Sequence, residues 1–336
     1  MKFLDPPQLP TIDVTTIAAG NPGRLALDSV SGCIYYDNGT TWAEIVLASQ
    51  ISQMQTQINN ITYTNIGVFG GGGVSNTSIY TYSNNVSVAG GNLTALNNNN
   101  PAGTSTSSIG VIGGGTTSVY TYSNNTAATG ATLVYFSSNI AAAGNSTVGV
   151  FGGGDGTGTN ATSTFSNTSL YTYSSNTSIA GANLTYDGNV LSAVGNNAIA
   201  VFGGGYILST TCIYTYSNNA TIAGSNLTYS AYGMGGASNA SIGVFGGGNN
   251  NGTILSVTSI YTYATNATVA GGNLTYANFY IRAISNGVVG IYGGGNTASS
   301  ITSTYTFSNN TTLNGGNLNI AYTSPGTFGP TPGVNC

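Results

Sequence analysis

The sequence predicts an all-β protein: a β-propeller of six repeats, preceded by a short coiled-coil helix and a small N-terminal β module. Three observations carry the propeller. An apolar segment ending in glycines recurs six times, as "VFGGG" at Val68, Val150, Val201 and Val244, "VIGGG" at Val111 and "IYGGG" at Ile291. A tyrosine segment follows each one, starting at Tyr80, Tyr120, Tyr171, Tyr214, Tyr261 and Tyr305. A leucine then stands 13 residues beyond each tyrosine, at Leu93, Leu133, Leu184, Leu227, Leu274 and Leu318. A unit of roughly forty to fifty residues with several short strands is the mark of a propeller or a related repeat array.

Residues 1–46 differ in style from the rest. The first sixty residues hold five of the seven acidic residues, the only tryptophan (Trp42) and half of the eight prolines. "GRLALDSVSGCIYYDNGTTWAEI" reads as two short strands joined by "SVSG", then a "DNGT" turn and a closing "TWAEI". This stretch resembles the small β modules found near the N-termini of bacteriophage tail and head fibres. The resemblance implies that residues 1–46 attach the chain to a virus particle.

Residues 47–61, "LASQISQMQTQINNI", place Leu47, Ile51, Met54, Ile58 and Ile61 at alternating four- and three-residue spacing. That is an a/d seam of about two heptads. A helix this short is marginal alone, so the seam needs partner helices, and isoleucine at the a positions permits a trimer. A single linker helix lying on the propeller is the alternative.

Residues 62–336 carry the repeats, each expected to supply four strands. Small-residue segments such as "IAAAGN" (140–145) and "YGMGGASN" (232–239) form the innermost strand, where bulky side chains do not fit. "VGVFGGG" forms the second, the tyrosine segment the third and "NLTY" a short outer fourth. A single glycine run could be read as a phosphate loop, but that chemistry needs a following helix and usually a lysine, and Lys2 is the only lysine. Glycine is required instead because it takes positive φ freely and lets backbones approach. The units resemble kelch repeats, whose hallmark is an apolar strand ending in Gly-Gly followed by a spaced tyrosine. The resemblance covers about residues 62–336 and implies a kelch-like propeller. It is incomplete, because the usual tryptophan later in the unit is missing; an arginine, Arg282, falls in one inner strand. After Leu318 the chain aligns with the inner-strand region of an earlier repeat, whereas the first repeat lacks its own. Residues near 324–330 are therefore expected to complete the first blade and close a six-bladed ring. An open stack of repeats is the alternative.

Composition bounds the function. Net charge is −4, charged residues are 3% and histidine is absent. Beyond residue 60 only Asp155, Asp187 and Arg282 carry charge. Glycoside hydrolysis needs two carboxyl groups flanking one bond, and Asp155 with Asp187, in different segments of the unit, is the only pair on offer. Histidine-dependent triads, copper sites of kelch-like oxidases and the arginine cluster of sialidase-like propellers are excluded by composition, and nucleic-acid binding by the lack of Lys and Arg. Cys33, Cys212 and Cys336 show neither a disulfide framework nor metal-ligand spacing. The expectation is therefore no enzyme, no cofactor and no metal. Stacking and hydrogen bonding remain: Tyr, Asn, Ser and Thr suit neutral sugars, although β-propensity and a polar coat account for many of them.

Length variation concentrates between the glycine run and the tyrosine, in the connection from the second strand to the third. Loops on a rigid scaffold carry recognition, so the receptor-binding candidates are Asp155, Asn160, Phe165, Tyr206, Asn249, Asn250 and Asn251. Neutral loop drift is the alternative. No secretion signal and no run of about eighteen apolar residues is visible, and Asn-x-Ser/Thr sequons recur through the repeats. The plan is that of a virion fibre, assembled in the host cytoplasm and displayed on the particle surface. It would be a homo-oligomer, joined to other virion proteins through its N-terminus, contacting a host surface glycan or protein, without nucleic acid or membrane insertion. A cellular adhesin or sheath protein is the rival, and a polysaccharide-cleaving tailspike the third reading.

Overall fold

The computed structural model describes residues 11–13, 15, 18, 20, 23–28, 33–45, 65–95, 100–135, 137–155 and 164–329. Among the described residues the fold is all-β, and no helix is long and apolar enough to cross a membrane. The seam positions Leu47, Ile51, Met54, Ile58 and Ile61 lie outside the described residues. The chain divides into two compact units, Met1–Ile61 and Thr62–Cys336.

In the smaller unit, Leu25–Asp28, Ile34–Asp37 and Trp42–Ile45 pair antiparallel as the sequence pattern anticipates, and Thr11–Ile12 adds a parallel edge. The "DNGT" turn is held by Asn38, whose Oδ1 accepts the N–H groups of Thr40 and Thr41 at 2.9 and 2.8 Å. Asp37 is buried and accepts Arg24 Nε at 3.0 Å and Nη2 at 2.5 Å, with further N–H donors from Gly20 and Gly39. The Arg24 guanidinium lies 5.0 Å from the centre of the Trp42 ring. A buried carboxylate needs this many donors to offset its lost hydration.

The larger unit holds six four-stranded antiparallel sheets among the described residues. The third shows the pattern. Ala141–Gly144, Val148–Gly152, Thr168–Thr172 and Thr177–Ala180 pair in chain order. The first sheet departs from chain order: Gly326–Phe328 from the end of the chain pairs with Ile66–Gly70, with Gly326 opposite Gly70 and Phe328 opposite Val68. Thr77–Thr81 and Val86–Gly90 complete that sheet.

Each sheet begins with a short strand buried at every position, built mostly of small side chains but with Arg282 and Phe328 in two of them: Ala102–Ser105, Ala141–Gly144, Ser192–Gly195, Gly235–Ser238, Arg282–Ser285 and Gly326–Phe328. Consecutive ones pack against each other, and Gly326–Phe328 also packs against Ala102–Ser105. Strand two then sends a β-branched residue to one side and a ring or isoleucine to the other. Phe69, Ile112, Phe151, Phe202, Phe245 and Tyr292 are all buried. On strand three Tyr80, Tyr120, Tyr171, Tyr214, Tyr261 and Tyr305 are likewise buried. Clusters form between neighbouring sheets, as where Val150 and Leu184 pack with Phe202 and Tyr214. Each buried Phe or Leu contributes roughly 1.5–3 kcal/mol through area removed from water.

The fourth strand is not "NLTY". It is the segment before it: Val86–Gly90, Thr126–Thr132, Thr177–Ala180, Ala220–Gly224, Ala267–Gly271 and Thr311–Asn314. These edge strands are largely exposed, so they lack the apolar alternation that marks a half-buried strand. The leucine of "NLTY" lies in the following connection. Leu184 is buried, its N–H bonds to Ser166 O at 2.7 Å, and its side chain wedges against the next sheet.

The glycine runs turn the chain out of strand two. Gly153 and Gly154 take φ of +72° and +98°, a region closed to most side chains. In the second sheet strand two ends at Gly113 and strand three starts at Thr116, so Gly114 and Gly115 alone connect them. That connection is the shortest of the six.

Candidate functional site

In an antiparallel meander, connections one–two and three–four leave from one edge of the sheet, and connections two–three and four–one leave from the other. The three–four connections are uniform hairpin turns that end in a left-handed asparagine: Asn85, Asn125, Asn176, Asn219, Asn266 or Asn310. Asparagine tolerates that region better than other side chains. The two–three connections range from the two glycines of sheet two to the fifteen residues between Gly152 and Thr168 in sheet three. Reassigning the fourth strand therefore leaves the variable face where the loop lengths place it, opposite the hairpin turns.

The candidate residues divide on this face. Asp155 is 8% exposed. It pairs through its backbone with Ser138 and Thr164, and its carboxylate accepts both hydrogen bonds of Asn139 Nδ2, at 3.0 and 2.9 Å. Burial raises its pKa, opposed by the Asn139 hydrogen bond. Asn160 lies outside the described residues. Phe165 is half-buried, its N–H bonded to Gly154 O at 3.0 Å. Tyr206, in the connection after Gly203, is 62% exposed. Asn249 and Asn250 pair with Thr253–Ile254 in a small hairpin, turned by Asn251 and Gly252 at positive φ. Asn249 is only 6% exposed and uses its Oδ1 to accept the Gly252 N–H at 2.7 Å. Its side chain builds the turn; Asn251 is the exposed one.

The four–one connections supply what the loop-length argument missed. Two residues before each first strand the chain enters positive φ, at Asn100, Asn139, Val190, Gly233, Tyr280 and Ser324. Neighbours join hands: the Val190 N–H bonds to Asn139 O at 3.0 Å, the Gly233 N–H to Val190 O at 3.1 Å, and Asn100 Nδ2 to Asn139 Oδ1. Glycine takes this conformation freely and asparagine tolerates it; β-branched Val190 at φ +52° and Tyr280 at φ +56° are strained. Tyr280 sits in an aromatic cluster assembled from three connections. Tyr206 stacks on Tyr232 with centroids 5.7 Å apart and an interplanar angle of 27°. Tyr232 meets Phe279 and Tyr280 edge-on at 5.7 and 6.1 Å, and Phe279 lies 4.9 Å from Tyr280. Burial raises the Tyr280 phenol pKa. The Tyr232 ring adds to the rise, Arg282 opposes it and Asp155 adds to it, so both charges act on this phenol.

Below this rim the first strands converge on a cavity of ≈10 Å³ lined by alanines, Leu191, Ser192, Gly236 and Arg282. That is room for about one water. Arg282 is 5% exposed, with Nη1 donating to Ile281 O at 3.2 Å. Asp187 is exposed in the connection leading to the fourth sheet, and the Asp155 carboxylate is held by Asn139. Among the described residues no group of three or more His, Cys, Asp or Glu could hold a metal ion.

Tyr232, Phe279 and Tyr280 were legible only as an anomaly. "NFYIRAI" puts two adjacent rings within the last four residues before an inner strand, where the other repeats carry at most one. No protein-family model matches the chain, and no curated protein matches its sequence.

Proposed function

We propose that the chain is a structural fibre protein of a virus particle, and that its six sheets close into a kelch-like propeller presented to the host cell surface. The observation that supports it best is the face just described, where exposed aromatic and amide groups coincide with the variable connections in a unit almost without charge. Closure is supported by the pairing of Gly326–Phe328 with Ile66–Gly70 and by the packing of Gly326–Phe328 on Ala102–Ser105. In this reading residues 1–46 anchor the chain to other virion proteins. The seam from Leu47 to Ile61 holds three copies together, so Ile51→Asn with Ile58→Asn leaves buried amides unpaired and dissociates the oligomer in light scattering. The protein performs no chemistry and needs no cofactor.

Two measurements test the function together. Mass spectrometry of purified virions finds the chain at fixed copy number, and the purified protein competes with virions for adsorption to host cells. That competition persists as ionic strength rises, because screening acts only on charges. Absence of the chain from virions, or failure to compete, overturns the reading.

A further inference from the structure

We infer that the rim formed by Tyr206, Tyr232, Phe279 and Tyr280 binds the ring face of a neutral pyranose, with the Asp155–Asn139 pair as the hydroxyl-recognising side of the same site. The inference rests on the attachment reading and names its ligand class.

The platform comes first. Tyr206 has one face against Tyr232 and remains 62% exposed, which leaves its other face open. An exposed ring held by stacking on a second ring offers a flat, electron-rich surface without the entropy cost of fixing a mobile side chain. The C–H groups of a pyranose carry the complementary partial positive charge. Beneath it, Tyr280 keeps a strained left-handed backbone at a position that Gly233 occupies freely in its own sheet. Strain of this kind persists only where the surrounding structure over-determines it.

The polar side follows. The Asp155 carboxylate is held by Asn139 Nδ2, and backbone bonds run from Asn139 to Val190 to Gly233, the chain neighbour of Tyr232. A carboxylate oxygen offers further lone pairs to sugar hydroxyls.

Charge chooses among ligands that stack. Nucleobases stack on tyrosines as well, but their phosphates require Lys and Arg. The only cation of this unit, Arg282, is buried in the axis. Sialic and uronic acids would bring a carboxylate towards Asp155. A neutral hexose meets neither obstacle.

Saturation-transfer NMR on the full chain tests this with the α- and β-methyl glycosides of glucose, galactose and mannose, and with methyl glucuronoside as the anionic control. At least one neutral glycoside receives saturation and the glucuronoside none. Tyr206→Ala, at an exposed position, weakens binding by about tenfold, the effect of losing one stacking partner, with an unchanged melting temperature. Tyr280→Ser, which installs the residue found at the equivalent Ser324, weakens it too. Saturation of no neutral glycoside, or saturation that both variants retain, overturns the proposal. The adsorption assay separates the two readings. Glycoside binding without competition for adsorption keeps the sugar site and sinks the fibre; competition that survives Tyr206→Ala, with no glycoside bound, does the reverse.

Discussion

The backbone N–H of Ala131, just past the glycine near the end of sheet two, donates to Asn176 Oδ1 of sheet three at 2.8 Å. The same oxygen accepts the phenol of buried Tyr171. The arrangement repeats from sheet to sheet: Gly91 to Asn125 at 2.7 Å, Ala182 to Asn219 and Ser225 to Asn266 at 2.8 Å, Gly272 to Asn310 at 2.6 Å. Between the sixth sheet and the first, the Gly316 N–H donates to Tyr80 Oη at 3.1 Å, and Tyr80 in turn donates to Asn85. The carbonyls of these linking residues accept a threonine at the start of strand three of their own sheet, the second residue in sheet two, where Thr117 Oγ1 donates to Ala131 O at 2.8 Å. One residue per repeat thus bonds to its own sheet through C=O and to the next through N–H. This accounts for the recurrence of "YTYSNN" more fully than β-propensity does.

Asn176→Gly tests the latch. Glycine keeps the left-handed turn without steric cost but leaves the Tyr171 hydroxyl, in a buried ring, without its acceptor. The expected loss is about 1–3 kcal/mol by chemical denaturation. Asn176→Asp retains the acceptor and the turn and costs less. Equal stability of Asn176→Gly and the wild type would show the latch to be energetically idle.

Gly181 closes the next junction, between sheets three and four. A Cβ there would sit 2.3 Å from Thr168 Oγ1 and 3.0 Å from Tyr214 Oη of the next sheet. Gly181→Ala therefore overpacks this corner, chiefly against Thr168 of its own sheet, at about 1–3 kcal/mol, the usual range for overpacking. Thr168→Ala removes the nearer obstacle, so the glycine substitution costs less in that background. A double-mutant cycle reads the coupling directly; strictly additive losses would place the clash elsewhere.

The first three strands of each repeat were legible because their signals are local: small residues, then β-branched and aromatic alternation, then glycine. The fourth was not. Val86–Gly90 and its counterparts are exposed edges, and a wholly exposed strand reads like a loop, while buried Leu93 reads like a strand although it is a wedge in a connection. The turn itself held the missing signal, because "SNN" ending in a left-handed asparagine is a hairpin turn, and a hairpin demands that the next strand start immediately. Loop length led to Tyr206 and Asp155 for the same local reason. The cluster that Tyr206 joins was hidden, since Tyr232, Phe279 and Tyr280 come from other connections and meet only once neighbouring sheets pack. Asn249 shows the opposite error: a polar residue in a variable loop whose amide is consumed by its own turn.

Asp155 gives a pH test. Burial raises its folded-state pKa above the unfolded value, so the native state binds the proton more tightly. Stability from this group is then lost as pH rises through the folded pKa, and is regained on acidification. Asp155→Asn, the neutral isostere, should melt higher than the wild type at pH 7. The gap should narrow as pH falls below the raised pKa. A gap that stays constant with pH would mean that the carboxylate is not penalised by burial.

Phe328 discriminates a closed ring from an open stack of sheets. Its ring is fully buried, 5.4 Å from Tyr120 and 6.2 Å from Tyr122 of the second sheet, within a cluster that includes Val68 and Ile112. Removing such a ring costs about 3–5 kcal/mol, so Phe328→Ala should unfold earlier in denaturant. Where that loss appears is the informative part. In a linear array each unit leans only on its neighbours, and damage to one end leaves the far units protected. In a ring, sheet one also supports sheet six, because Phe69 and Tyr80 pack with Ile284, Ile291 and Leu318. Hydrogen exchange in Phe328→Ala should therefore quicken on both sides of the seam, at Ile109–Gly113 and at Val289–Gly293 alike. Faster exchange confined to the first two sheets, with Val289–Gly293 as protected as in the wild type, would mean that the array does not close.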